Sequence, residues 1–363
     1  MPTLPKDALR VKAQTDNIHV MTKEIFVIFG RNTELAMAEW TSGMELLGFT
    51  WKTRASGGQV LLGSISGANF DAKQLQHQFG GVIKMGEILE TLPVTGSREE
   101  TLQQFLNVET FIKILPEKNI RANVGLSFYS LNKKSSPQRL SARVIRHALK
   151  LKNDLKNQDR NVRFVTSKQA DLSSVILTQE KVLDRGVELD FILSDTEIFV
   201  GRTLTVQDFK SYSHRDYGRP ARDAYSGMLP PKVAQMMVNL SHCPLNGTLM
   251  DPFCGSGTIL QEAMLLGYKN LRGSDLSEDA VTDTNKNLTW LMQEYKVDAD
   301  VDLFVSDVID LQIPKGSMEA IVTEPYLGPA DKGRVNTKII EKNLLKLEHL
   351  YKDAFRILTR LLK

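Results

Sequence analysis

Cysteine is nearly absent: Cys243 and Cys254 are the only two in 363 residues. Neither a disulfide framework nor a cysteine metal cluster is available to such a chain. The six histidines, at 19, 77, 147, 214, 242 and 349, form no metal-ligand spacing. No apolar run approaches the ~18 residues of a membrane-spanning helix. The N-terminus lacks the apolar core of a signal peptide. No membrane partner is expected, and the chain reads as cytoplasmic. What is present is a hydrophobic content of 42%, enough for sizeable cores, over a length that suits two or three domains.

Acid is scarce in one segment. Residues 131–168 hold eleven Lys/Arg against two acids, Asp154 and Asp159, on a chain whose formal net charge is only +3. The rest of the chain is therefore net acidic, and such asymmetry points to a polyanion partner. Within the segment Leu140, Val144, Ala148, Leu151 and Leu155 recur at helical spacing, with Arg139, Arg143, Arg146 and Lys150 on an adjacent stripe. An amphipathic helix over 139–156 with a basic face for RNA phosphates is expected.

Two further absences fall on the most informative stretch, Asp251-Pro-Phe-Cys-Gly-Ser-Gly-Thr258, which closes the apolar run Thr248-Leu249-Met250. A strand, a glycine turn and a helix start form a nucleotide-type cradle. A dinucleotide site needs a third glycine, and Leu260 stands there. A triphosphate loop needs a lysine, and the turn has none. A nucleoside cofactor without phosphates remains.

The eight-residue string resembles motif I of S-adenosylmethionine-dependent amino-methyltransferases. That resemblance implies S-adenosyl-L-methionine as cofactor, held by Asp251, Phe253, Gly255, Gly257 and Thr258. Strand candidates follow at Asn270–Asp275 and Asp302–Asp307, with a helical stretch from Ser277 to Tyr295 between them. An acid at the end of the second strand suits both ribose hydroxyls, which assigns Asp275. The resemblance implies that Asp307 bonds the adenine amino group.

A fourth strand candidate, Glu319–Thr323, runs into Thr323-Glu324-Pro325-Tyr326. Amino-methyltransferases carry Asp/Asn/Ser-Pro-Pro-Tyr/Phe at this point. An acceptor oxygen must draw on the N–H of an exocyclic amino group so that its nitrogen can attack, and the ring stacks on the base. This chain departs from the pattern, because one proline is missing. Either Glu324 takes the acidic position, which is the preferred register, or Thr323 takes it and Glu324 replaces a proline. Thr323, Glu324, Pro325 and Tyr326 are the candidate catalytic residues.

The segment 212–240 resembles the stretch before motif I in tRNA guanine-N2 methyltransferases that carry a THUMP domain. Arg215, Arg219 and Arg222 cluster there in a Gly/Pro loop and join the candidate RNA contacts. The run Ile25-Phe-Val-Ile-Phe-Gly-Arg-Asn-Thr resembles the same proteins' N-terminal domain, and Ile198-Phe-Val-Gly-Arg-Thr-Leu the last THUMP strand.

The expected organisation is a mobile leader (1–22), an N-terminal α+β domain (23–95), a THUMP-like RNA-binding domain (96–203), a linker and substrate loop (204–232) and a methyltransferase domain (233–363). The fold class is α/β: a Rossmann-like methyltransferase domain preceded by α+β N-terminal and THUMP-like domains. Four strands fall in 248–323 and one long helix over 336–363, whereas methyltransferase sheets of this class carry seven strands. The domain therefore reads as C-terminally incomplete, its sheet edge awaiting a partner subunit or a further C-terminal segment.

The resemblance implies methylation of a guanine N2 in tRNA, at guanine 10, with tRNA as partner. Two rivals stand beside it. One is a DNA adenine-N6 or cytosine-N4 amino-methyltransferase. The other is a non-catalytic RNA-binding protein with a relic methyltransferase domain.

Overall fold

The computed structural model describes residues 21–67, 70–115, 121–132, 137–222, 227–329 and 337–363. Nearly all of the expected leader, and Lys133 and Lys134 of the basic segment, lie outside these residues. The first unit runs β1 (Met21–Phe29), α1 (Thr33–Leu46), β2 (Thr50–Gly57), β3 (Val60–Gly67), α2 (Ala72–Gln78) and β4 (Val82–Pro93). The second runs α3 (Arg98–Phe105), α4 (Val108–Ile114), β5 (Ala122–Ser130), α5 (Gln138–Lys150), α6 (Lys152–Asn157), β6 (Val162–Val165), α7 (Ser174–Gln179), α8 (Val182–Arg185), β7 (Gly186–Leu193) and β8 (Glu197–Val206). After α9 (Phe209–Tyr217) and α10 (Pro231–Leu240) come β9 (Thr248–Asp251), α11 (Thr258–Leu265), β10 (Asn270–Asp275), α12 (Glu278–Tyr295), β11 (Asp300–Val305), β12 (Ala320–Ile321) and α13 (Thr337–Leu361).

The first two units share one sheet, with strand order β2-β3-β1-β4-β8-β7-β5-β6. The seam is the antiparallel β4–β8 pair, from Lys84↔Val206 to Pro93↔Glu197. A hydrophobic cluster crosses it, with Phe26, Ile28 and Leu62 from one side meeting Tyr129, Ile192 and Phe199 from the other. A division near residue 95 thus falls in a connection between strands of one sheet. A polar knot also spans the seam: Lys84 on β4 bonds Glu188 at 2.6 Å and Asp190 at 3.4 Å, both on β7.

Local signals account for the helices. Ser97 and Glu100 form a reciprocal capping box at the start of α3. On α5, Val144 and Ala148 are buried while Arg139, Arg143, Arg146 and Lys150 are exposed, as the periodicity requires. The expected single helix over 139–156 is broken at Leu151, whose N–H bonds Ala148 three residues back at 3.1 Å. That tightened turn lets both α5 and α6 bury apolar residues against one core. Strand β2 was not anticipated, because as an edge strand it is mostly exposed and polar.

The last domain is a parallel sheet, β11-β10-β9-β12. Alternation along β9 sends Leu249 into a core with α10, α11 and α12, and Met250 into a core with α13. Helices therefore cover both faces, as a doubly wound fold demands. Met318, just before β12, forms a parallel bridge with Leu362. The domain docks on the first unit through α10. Asn239 donates to Glu39 at 2.7 Å, and Gln235 donates to the carbonyl of His77 at 2.7 Å.

Candidate active site

Parallel strands present their carboxyl ends on one side, where α/β sheets bind ligands. Asp251, Asp275 and Asp307 stand at or beyond the ends of β9, β10 and β11, and Glu324 follows β12. All four line one cleft of about 840 Å³. Phe253, Gly255, Thr258, Pro325 and Tyr326 line it too, as does Arg222.

Motif I is built by two left-handed glycines. Gly255 has φ +51, and a Cβ there would meet nothing within 4 Å, so its face is open to a ligand. Gly257 has φ +81, and a Cβ there would sit 2.9 Å from Thr284. Gly257 shapes the turn from beneath and does not line the cleft. Asp275 secures the turn from the neighbouring strand. Its carboxylate accepts the Gly255 N–H at 2.9 Å and the Ser277 N–H at 3.0 Å, and keeps lone pairs for further donors. Asp307 is half-buried at the cleft and accepts the Ile309 N–H at 3.2 Å. Burial pushes the Cys254 thiol up to about 12, so it packs the turn as a neutral group.

Thr323 and Glu324 are placed differently. Thr323 does not line the cleft; its hydroxyl donates to Asp251 at 2.7 Å. Glu324 is exposed at the cleft and takes no hydrogen bond from the described residues. Its carboxylate is therefore the free acceptor beside the ring of Tyr326, which is 54% exposed. This favours the register in which Glu324 holds the acidic position.

Burial pushes the Asp251 carboxyl up to about 7, against hydrogen bonds from Thr323 and the Phe253 N–H. Glu39, buried where α1 meets α10, rises to about 7 for the same reason. A carboxyl whose folded pKa is raised contributes full stability below its unfolded pKa, near 4, and loses that contribution as pH climbs through 7. We expect Asp251→Asn to match the ligand-free protein near pH 4 and to exceed it progressively up to pH 7, by a few kcal/mol at most. Urea unfolding at both pH values checks this; a gap that does not change with pH would contradict it.

The arginines divide. Arg222 reaches the cleft and stacks 5.1 Å over the Tyr217 ring. Arg215 and Arg219 are corrected: they are 7% and 3% exposed, so neither is a surface phosphate contact. Arg215 pairs with buried Glu262 at 2.7 Å, and Arg219 donates to the Thr258 hydroxyl at 2.7 Å. The Gly/Pro loop begins with a helix, α9, whose inner face turns Arg215 toward α11. Arg139, Arg143, Arg146 and Lys150 lie on the other sheet's helix and do not line the cleft. Arg143 is engaged by Glu99 at 2.7 Å.

Thr284 and Asn287 were not foreseen. Thr284 donates to the Gly255 carbonyl at 2.8 Å, and Asn287 donates to that of Ser256 at 2.9 Å. A signal existed, since both share the spacing of buried Leu288, Leu291 and Tyr295. Polar residues on an apolar stripe need partners.

Among known families, a model described as an RMKL-like methyltransferase domain matches residues 219–360, and one described as a DNA methylase matches 105–287. A tRNA (guanine(10)-N2)-dimethyltransferase from Methanothermobacter thermautotrophicus is 38% identical over 156 residues, covering 40% of this chain and 44% of that protein. A protein from Methanothermococcus thermolithotrophicus, named probable tRNA (guanine(10)-N2)-dimethyltransferase, is 32% identical over 133 residues, covering 35% of this chain and 77% of that protein. The chain spans about half the length of the first three such relatives, 44% to 54%. The crystal structure of TrmN from Thermus thermophilus matches with a TM-score of 0.52 at 16% identity, covering 94% of this chain and 86% of that one. At that identity the likeness is one of fold.

Proposed function

The chain belongs to the family of the tRNA (guanine(10)-N2)-dimethyltransferases, and we propose that it transfers methyl groups from S-adenosylmethionine to the exocyclic N2 of a guanine in tRNA, at guanine 10. The carrying observation is the cleft. Among the described residues five acids, Asp275, Asp279, Asp283, Asp307 and Glu324, line it together with the buried Asp251, whose carboxyl is pushed up to about 7, against one guanidinium, Arg222. Such a lining repels phosphates and suits a cationic sulfonium with a nucleoside attached. When bound, that cofactor supplies an electrophilic methyl group.

The chain's own residues fit the rest. Asp275 has acceptor capacity for ribose hydroxyls, and Asp307 for an amino group. The open backbone at Gly255 accommodates the methionine portion. Glu324 accepts a hydrogen bond from the target amino group and draws its lone pair out of conjugation. Tyr326 stacks on the base, and Pro325 stiffens the link between the two. Thr323 is a positioning residue that ties this segment to Asp251.

The front half supports an RNA partner through α5. The test is methylation of a tRNA transcript followed by nuclease digestion and mass spectrometry. N2-methylguanosine at position 10 is expected. Methylated adenine or cytosine in DNA instead would favour the DNA amino-methyltransferase that the 105–287 match suggests. A protein that binds tRNA but not S-adenosylhomocysteine would favour the relic. Neutralising Arg139, Arg146 and Lys150 together should reduce the slope of log Kd against log salt by about 2 to 3. Cofactor affinity should stay constant; an unchanged slope would place the tRNA elsewhere.

A further inference from the structure

We infer that Arg219 and Asn287 are positioning residues that latch the chain preceding the domain onto the cofactor turn and so set cofactor affinity. The inference rests on the cofactor reading above. Arg219 is 3% exposed and makes no ion pair among the described residues. One end of its guanidinium donates to the Thr258 hydroxyl at 2.7 Å, the other to the Met228 sulfur at 3.0 Å, and its Nε has no hydrogen-bond partner among the described residues. A buried guanidinium without a carboxylate is costly. A phosphate contact would need it outside; Asp216 and Glu262 act on its charge only from beyond ion-pair distance, whereas Arg215 pairs with Glu262 directly.

Asn287 completes the latch from α12. It is fully buried. Its amide oxygen accepts the Ala221 N–H at 2.9 Å, and its amide nitrogen donates to the carbonyls of Ala221 and Ser256, each at 2.9 Å. One side chain thereby joins residue 221 to the middle of motif I. Met228, which Arg219 holds, lines the cleft with Gly227 and Leu229, and so does Arg222, next to Ala221. Motif I and the 219–229 flanks are thus fixed to each other at two points, Thr258 and Ser256. A cleft whose walls are held before the ligand arrives binds without the cost of ordering them.

Calorimetry of the full chain with S-adenosylhomocysteine, beside a filter assay for tRNA, tests this on Arg219→Met, Arg219→Lys and Asn287→Asp. The aspartate keeps the acceptor for Ala221 and removes both donations. Each variant should weaken S-adenosylhomocysteine on the order of tenfold, with Arg219→Lys between wild type and Arg219→Met. The KM for S-adenosylmethionine should rise in parallel, while kcat at saturating cofactor and the tRNA Kd stay within about threefold, which a general loss of structure would not produce. Should Arg219→Met not fold, the isosteric Asn287→Asp carries the same expectation. Undiminished cofactor affinity in folded variants overturns the latch, as does lost tRNA binding with intact cofactor affinity. Wild-type protein that ignores S-adenosylhomocysteine sinks the cofactor reading and the latch with it; wild-type binding with undiminished variants sinks the latch alone.

Discussion

Glu324→Ala is expected to lower kcat by about 10²–10⁴-fold while leaving S-adenosylhomocysteine affinity within about threefold. Glu324 is exposed at the cleft, takes no hydrogen bond from the described residues and stands two residues before the exposed Tyr326 ring. An exocyclic amino nitrogen is a poor nucleophile because its lone pair is delocalised into the base. An oriented acceptor on its N–H is required only as the new bond forms, so its loss appears in kcat rather than in binding. Glu324→Gln should fall between, because an amide oxygen still accepts but carries no charge. Thr323→Val separates the registers. Its hydroxyl already serves Asp251, so a loss of less than about tenfold is expected. A Thr323→Val protein as impaired as Glu324→Ala, with Glu324→Ala near wild type, would reverse the assignment.

The largest effect on stability is expected at the seam of the eight-stranded sheet. Lys84, Glu188 and Asp190 are all 0–1% exposed. The Thr203 hydroxyl lies 2.6 Å from a carboxylate oxygen of each acid, yet it has a single hydrogen to give. One acid must then carry a proton toward Thr203. Asp190 is the one, since burial and the adjacent Glu188 charge hold its carboxyl well above the usual range. The knot is a neutral unit of one ammonium, one carboxylate and one carboxylic acid. Ser127 completes it, donating to Glu188 at 2.5 Å and accepting the Leu172 N–H at 2.9 Å. Lys84→Met leaves Glu188 charged and unpaired in the core, at a cost of about 3–5 kcal/mol. Adding Glu188→Gln should return more than half of it, because the uncompensated charge is then gone. Urea unfolding reads both changes; a shift under about 1 kcal/mol for Lys84→Met would show that water or another cation reaches the site.

Much of the C-terminal domain was legible because its signals are local. The Asp251–Thr258 turn, the helix over 278–295 and the acids ending β10 and following β11 are set by glycine conformations and short-range periodicity. In the front half the basic amphipathic helix was legible in the same way, though it breaks in two at Leu151, whereas the short helices α4, α7 and α8 carry too few turns to show a period. Edge strand β2, with few buried positions, was not legible either. Nor was the sharing of one sheet by two units, since β4 and β8 lie about a hundred residues apart and nothing in either strand names its neighbour.

By itself the sequence narrowed the ligand of the cleft to a nucleoside without phosphates, because a glycine turn without lysine or third glycine has few chemical uses. It also determined that α5 would present a basic face, because helical spacing alone sorts Arg139, Arg143, Arg146 and Lys150 from Val144 and Ala148. The tertiary structure decided which charges are spent. Arg215 and Arg219 lie 47 and 39 residues from their partners Glu262 and Thr258, and Thr323 lies 72 from Asp251. An arginine or threonine reads the same in sequence whether it faces solvent or a buried acceptor. Only the packing of α9 and the residues after it against α11, and of β12 beside β9, turned two apparent RNA contacts inward and left Glu324 at the cleft without a hydrogen bond from the described residues.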